Sequence, residues 1–442
     1  MDGSLQLLRR QAVEAYLAAV EAVQPRHLIP RAVTAHGGEV AVFGRPLPRA
    51  PGRRVLAALG KAAPGLAEAW LGCAPSWASE VFVLAPHGVP VAPELAARAT
   101  VRRGAHPFPD ADGEASARAL LELAGGLGAR DLLVVLLSGG ASALLAAPRP
   151  GLTLEDVTAT TRALLGAGAP ITALNTVRRQ LLTAAGGGLG RAAHPAPVVT
   201  LVLSDVLGDS LPDIASGPTV PSPTTAVDAL QVLERYGVRR RVPGAVLQAL
   251  ERGQPTAAAA TSGWSERAST HLLANNHSAV TAAASWLEDR AFAVTVLRPP
   301  LTGEAAARGR QLGALAVALR PARRVALVLG GETTVTVRGR GRGGRSQELA
   351  LAAAIELEGS LGCALLAAGS DGLDGLSAHA GAVVDPTTCR RLRAAGHDPL
   401  AALVDNDSAT ALAACGDALV TGPTWTNVCD LVLVLADGTS AA

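Results

Sequence analysis

Leu132-Leu133-Val134-Val135-Leu136-Leu137, followed at once by Ser138-Gly139-Gly140-Ala141-Ser142, decides the fold class. Six apolar residues without polar alternation suit a strand covered on both faces, the usual state of a parallel strand. The Gly-Gly pair lets the chain turn sharply from strand into helix and can aim successive N–H groups inward as an anion nest. Working outward, apolar runs of strand length recur at Arg54–Leu59, Val81–Ala85, Val198–Leu203, His271–Asn275, Val294–Leu297, Val325–Leu329, Ala364–Ala368, Leu419–Thr421 and Leu431–Leu435. Helical patterns lie among them, at Asp112–Leu127, His277–Arg290, Glu304–Leu319 and Ser346–Glu358, and Met1–Gln24 reads as an amphipathic helix. This alternation predicts an α/β protein. Glu332–Val337, rich in Thr and Val, reads as a second strand in a hairpin with Val325–Leu329, turning at Gly330-Gly331. The Ala/Thr/Ser/Gly stretch Gly253–Gly263 is the best linker candidate. It predicts an N-terminal domain over 1–252 and a C-terminal α/β domain over 264–442.

The 39 basic and 37 acidic residues leave a net charge of +2, so neither a nucleic-acid nor a membrane surface is expected. Leu132–Leu137 is about a third of a membrane span, and the N-terminus lacks a signal-peptide core. Five scattered cysteines without a CxxC read as reduced thiols of a cytoplasmic protein. Among the 39 basic residues only Lys61 is lysine. Arginine replaces lysine wherever a solvated charge suffices, so the survivor marks a place where a compact ammonium is needed.

In open α/β sheets ligands sit beyond the carboxyl ends of strands, so the loops after strands carry the chemistry. Gly60-Lys61 forms one such turn, without the Ser/Thr of a Walker A loop. Ser138–Ser142 is the second. Ser204-Asp205-Val206-Leu207-Gly208-Asp209, with Ile214–Thr219 after it, offers two carboxylates four apart, which suits magnesium. Gly330-Gly331-Glu332 leads to Arg338–Glu348, whose four arginines in eight residues read as a polyphosphate loop. Gly339, Gly341 and Gly344 also satisfy GxGxxG, so a dinucleotide site is the rival reading. Asp371 and Asp374 follow Ala364–Ala368, and Thr421–Asn427 supplies hydroxyls and an amide. Carboxylates for a cation, basic groups for phosphates and glycine backbones for close approach are the parts of phosphoryl transfer.

At these loops the sequence resembles the glycerate 2-kinase family, whose C-terminal module carries the MOFRL name. The matching stretches are Gly60-Lys61-Ala62, Ser138–Leu144, Asn175-Thr176-Val177-Arg178, Ser204–Thr219, Gly330–Glu348, Ser370–Gly381 and Thr421–Val428. The resemblance implies a Rossmann-like N-terminal domain and a smaller C-terminal α/β (MOFRL) domain, with the active site in the cleft between them. It also implies Mg-ATP and D-glycerate as substrates and 2-phosphoglycerate as product. Lys61 and Arg345 fall on the family's proposed catalytic positions. Gln180 and Ala185 stand where the family has His and Lys, Ser346 where Asn is usual, and Trp425 where Gly is usual.

Loops and resemblance together nominate Lys61, Arg345 and Asp205 as catalytic, and Asp205, Asp209 and Asp371 for Mg2+. Ser138, Gly139, Gly140, Ser142, Arg178, Gly330, Gly331, Glu332, Gly344, Thr424 and Asn427 are nominated for substrate and phosphate. The expected partners are glycerate and ATP, with a homodimer as the candidate assembly. The rival functions are an NAD(P)-dependent hydroxypyruvate reductase and a non-catalytic sugar-phosphate sensor.

Overall fold

The computed structural model describes residues 3–253, 263–319, 323–360 and 362–438. It divides into two compact units, Pro25–Leu273 and Met1–Gln24 with Ala274–Ala442.

The first unit is built on a six-stranded sheet. Thr100–Gly104, Glu80–Pro86, Arg54–Leu59, Leu132–Leu137 and Val198–Leu203 lie side by side in that order, every neighbouring pair parallel. Ala268–Ala274 takes the sixth place, beside Val198–Leu203. Numbered by sequence, the order is 3-2-1-4-5-6, that of a doubly wound dinucleotide-binding sheet. Leu132–Leu137 and Val198–Leu203 are buried at every position, as their unbroken apolar runs require. A small antiparallel sheet of Val33–His36, Glu39–Val42 and Arg45–Pro46 is added near the start.

The second unit holds a seven-stranded sheet centred on Asp430–Ala436, which pairs antiparallel with both Val325–Thr334 and Cys363–Gly369. These runs read from sequence as parallel strands, and here the structure corrects the expectation. They are unbroken because helices cover both faces, not because the strands are parallel. Leu327, Leu329, Leu365, Ala367, Val432 and Val434 join the core under Ala305–Ala318 and Arg345–Leu357. Residues on the opposite face meet Gly3–Ala22 and Asn276–Glu288.

The expected hairpin at Gly330-Gly331 is also corrected. Val325–Thr334 is a single strand running through both glycines, with Ala293–Val296 and Leu301–Glu304 paired parallel along its two halves. The glycines are there for close approach. A Cβ on Gly330 would lie 1.7 Å from Asn276 Oδ1, and one on Gly331 2.2 Å from the Leu301 carbonyl.

The unit boundaries differ from those read in the sequence at both ends. The helix Gly3–Ala22 belongs with the C-terminal half, tied there by Tyr16 Oη donating to the Gly369 carbonyl (2.7 Å) and by Arg9 pairing with buried Asp385 and Asp417. Residues 268–273 complete the first sheet instead of opening the second. Most of the linker candidate, residues 254–262, lies outside the described residues.

Candidate active site

In the first sheet the strand order reverses between Arg54–Leu59 and Leu132–Leu137, the topological switch point where ligands of such sheets bind. The Lys61 turn leaves the first of these strands and the Ser138–Ser142 turn leaves the second, and they are locked together. Lys61 N donates to the Gly139 carbonyl (2.9 Å), and Ala62 N to Ser138 Oγ (3.1 Å). Gly60 is at φ +110°, and a Cβ there would sit 2.4 Å from the Ser138 carbonyl, so no other residue fits. The amide of Gly60 is taken by Leu84 O. This turn therefore offers its side chain, not its backbone, to a ligand. Lys61 is half-buried and precedes Ala62, the cap of Ala63–Cys73, so it lies just before the first helical turn that its sequence position suggested.

The neighbouring turn is the reverse case. The N–H groups of Gly139, Gly140, Ala141 and Ser142 meet no acceptor among the described residues. Gly140 has φ +85°, and its missing Cβ would meet the Lys61 side chain at 3.3 Å and His106 at 3.1 Å. Asp205 packs on Gly139, where a Cβ would fall 2.0 Å from its Oδ2. Cation, unpartnered amides and carboxylate thus meet at the ends of adjacent strands. Ser142 Oγ lies 3.0 Å from Ser216 Oγ, which donates to Asn175 Oδ1 (3.1 Å). Ala215, Ser216 and Gly217 all have φ between +51° and +63°. Left-handed residues other than glycine persist where their surroundings over-determine them, often at active sites. Arg178 is half-buried with no acceptor among the described residues, and burial lowers its pKa. Its neighbour Arg179 is structural, pairing with Asp213 (2.9 Å).

In the second unit Arg345 opens the helix Arg345–Leu357. Its Nε and Nη2 donate to Asp430 Oδ2 (2.6 Å) and Oδ1 (3.0 Å), and its Nη1 to Glu332. Burial alone would lower the guanidinium pKa, but Asp430 and Glu332 carry it above the usual range. Three of its five N–H donors are used, and two remain. Asp374 caps the same helix through the amides of Ser346 (3.1 Å) and Gln347 (2.7 Å). Burial first, only partly offset by those amides, pushes its carboxyl up to about 7. Asp371 and Thr424 are joined through Thr424 N donating to the Asp371 carbonyl, and Asn427 contacts Ser370 Oγ at 3.5 Å.

The basic loop is held from behind. The amides of Arg340 and Arg342 donate to Asp405 and Asp407. Cβ atoms on Gly339, Gly341 and Gly344 would fall 2.2–2.3 Å from Asp405, Asp407 and Asp374. The GxGxxG glycines thus make room for Asp405, Asp407 and Asp374 within the chain. Arg338, Arg340 and Arg342 are exposed.

The "Domain of unknown function (DUF4147)" model matches residues 11–251, and the "MOFRL family" model residues 325–430. A D-glycerate 2-kinase of Thermotoga maritima is 41% identical, over 75% of this chain and 78% of its own. A protein of Agrobacterium vitis provisionally named hydroxypyruvate reductase is 39% identical over 93% of both chains. The crystal structure of a Thermotoga maritima glycerate kinase superposes with TM-score 0.82 at 35% identity, covering 98% of this chain and 100% of that one. The chain belongs to the glycerate 2-kinase family.

Of the family positions read from sequence, Lys61, Ser138–Ser142, Arg178, Asp205 and Asp209 lie in the first unit. Gly330, Gly331, Glu332, Gly344, Arg345, Asp371, Thr424 and Asn427 lie in the second. Sequence reasoning missed Asp430, the first residue of an otherwise apolar strand, where one charge before six apolar residues was a legible signal. It missed His106 and Tyr16 as well. Burial, then the charges of Asp371 and Asp430, raise the Tyr16 phenol above its usual range; nothing local marks that residue. Among the described residues one trio of His, Cys, Asp or Glu side chains is close enough to share a metal. It is His87, Asp110 and Asp112, and it includes none of the nominated carboxylates. No helix among the described residues is long and apolar enough to cross a membrane.

Proposed function

We propose that the chain transfers the γ-phosphoryl group of ATP to the 2-hydroxyl of D-glycerate, giving 2-phosphoglycerate and ADP. The observation that carries this reading is the locked pair of turns at the switch point, where Lys61, four unpartnered amides and Asp205 meet. Phosphoryl transfer asks for positioning and charge stabilisation more than covalent chemistry. The amides of 139–142 hold an oxyanion group of the substrates, with Ser142 fixed through Ser216 and Asn175. The Lys61 ammonium offsets charge growing on the transferred group. Arg345, aimed by Asp430 and Glu332, has two N–H groups left to donate to phosphate oxygens, and Arg178, with no acceptor among the described residues, brings a further cation. Asp205 accepts the hydroxyl proton as the oxygen attacks in line.

Carboxylate oxygens suit magnesium, which would take few ligands from the protein. Asp209, four residues after Asp205 on the same loop, is the carboxylate we assign to it. Bound magnesium would offset charge on the phosphate oxygens.

The reductase reading of the Agrobacterium vitis relative meets the glycines of the GxGxxG match already packed against Asp405, Asp407 and Asp374. The deciding test incubates the protein with glycerate and Mg-ATP and, separately, with hydroxypyruvate and NADH. ADP release dependent on glycerate and a divalent cation, without NADH loss, is expected. NADH oxidation without ADP formation would overturn the proposal.

A further inference from the structure

Arg149 and Arg191 lie in the first unit, outside the machinery described above, and bracket the turn between Leu181 and Gly188. Arg149 Nη2 donates to the Arg179 carbonyl (2.9 Å) and Nε to the Leu182 carbonyl (3.4 Å). Arg191 Nη1 donates to the Gly186 carbonyl (2.9 Å), and its guanidinium lies over the Trp264 ring at 5.9 Å. Both are half-buried. Their partners among the described residues are neutral carbonyls and a ring, and no carboxylate there pairs with either. Residues 254–262 carry no Asp or Glu that could supply one. Burial, and then the charge of Arg191, pull Arg149 down to about 10. Partly buried cations are normally paired, because taking an uncompensated charge from water is costly.

We infer that Arg149 and Arg191 form an anion site for free inorganic phosphate at the 182–188 turn, separate from the amide turn at Ser138–Ser142. Phosphate is the size and charge that two forked guanidiniums grip together. Each guanidinium keeps N–H donors beyond those its carbonyl partners use. The turn's own glycines are packed from within, a Cβ on Gly186 falling 3.0 Å from Ser222 and one on Gly187 2.6 Å from the Trp264 ring, so the guanidiniums supply the donors. The same turn is zipped to the strained segment of the active site, with Gly186 N on the Ser216 carbonyl (2.9 Å) and Gly187 N on the Gly217 carbonyl (2.7 Å). An occupied site therefore braces the residue that holds Ser142.

The test uses the full chain without nucleotide or glycerate, titrated with inorganic phosphate against chloride at constant ionic strength. Thermal midpoint and calorimetric binding are read. The wild type is expected to gain stability with phosphate, and Arg191→Gln to bind it about tenfold or more weakly, the scale for losing one charged hydrogen bond. In chloride Arg191→Gln should be no less stable than the wild type, since it removes a like charge. Arg149→Gln should lose the response too, and Lys61→Ala should keep it. A stability loss in chloride with the phosphate response intact would make Arg191 merely structural and overturn the site. So would a response abolished by Lys61→Ala and kept by Arg191→Gln, which would move the phosphate to the amide turn. No phosphate response in the wild type also refutes it. None of these readouts depends on glycerate phosphorylation, so this site and the proposed kinase activity fail independently.

Discussion

The turn at Lys61 and the cluster at Arg345 each bring one cation to the end of a secondary-structure element, and they do it in opposite ways. The Lys61 turn uses up its own amides on Leu84, Gly139 and Ser138 and leaves four amides next door without acceptors. Those amides are open to a ligand. Arg345 already holds two carboxylates, one buried in the sheet, and presents only the back of its fork. Removing the cation from the first arrangement, at a half-buried residue before a helix, is expected to cost the fold little. The second makes its cation part of the fold, so one variant should separate activity from stability and the other should not.

The largest effect is expected for Arg345→Ala. Asp430 has 9% of its side chain exposed and would be left as a buried carboxylate without its partner. Breaking such a pair costs about 3–5 kcal/mol, and the 34% exposure of Arg345 puts the expectation toward the low end. Turnover should fall with it. Adding Asp430→Asn should recover much of the thermal midpoint and none of the activity. A single variant as stable as the wild type would show the clamp to be no clamp.

Lys61→Ala should lower kcat by about 10²–10³-fold, the scale for one preorganised charge-stabilising donor. Its stability should change by no more than about 1 kcal/mol. Lys61→Arg should not restore full activity, because a planar fork cannot replace a point charge in that space. ADP production at saturating substrates, with a thermal melt of each protein, measures both. An alanine variant with near-wild-type turnover would remove Lys61 from the mechanism.

A smaller effect belongs to the clamped region alone. The Asp374 carboxyl is raised from 3.8 to about 7. Between those values the folded protein keeps a proton that the unfolded chain has released. Stability from this group is therefore full below about pH 4, declines as pH rises, and levels off above about 7. The slope is at most about 1.4 kcal/mol per pH unit. Relative to Asp374→Asn, the wild type should lose stability across that window in urea melts. Parallel stability-against-pH curves for the two proteins would contradict it.

What could be read in advance divides along the same line. The first unit was legible, because a parallel sheet writes itself as unbroken apolar runs with glycine turns after them, and Lys61, Ser138–Ser142 and Asp205 fell on those turns. The second was less so. Burial on both faces makes an antiparallel strand look parallel, and Gly330-Gly331 looked like a turn although the glycines let Asn276 and Leu301 approach a continuous strand. The contribution of Tyr16 depends on a helix joining a sheet hundreds of residues later, and no local pattern encodes that. Asp430 stood at the edge of a strand and needed only to be weighed as a buried charge.

Trp425 gives the smallest effect and tests whether a departure from the family pattern is tolerated or exploited. Its φ is +59°, a conformation natural to the glycine that the family has there. The ring is 39% exposed, so its removal forfeits little packing. Trp425→Ala keeps the left-handed backbone with a Cβ, whereas Trp425→Gly removes the Cβ as well. The difference between the two isolates the backbone cost, expected at about 1 kcal/mol in favour of glycine, reduced by the extra freedom glycine gives the unfolded chain. Trp425 follows Thr424, whose Oγ1 donates to the Ser370 carbonyl at 2.6 Å, so the bulky ring stands beside a nominated substrate residue. If the ring borders the path of the acceptor, both variants should shift KM for glycerate several-fold while kcat holds. Equal stability of the glycine and alanine variants would show that the fold absorbs the left-handed turn without strain. An unchanged KM in both would place the ring outside the acceptor's path.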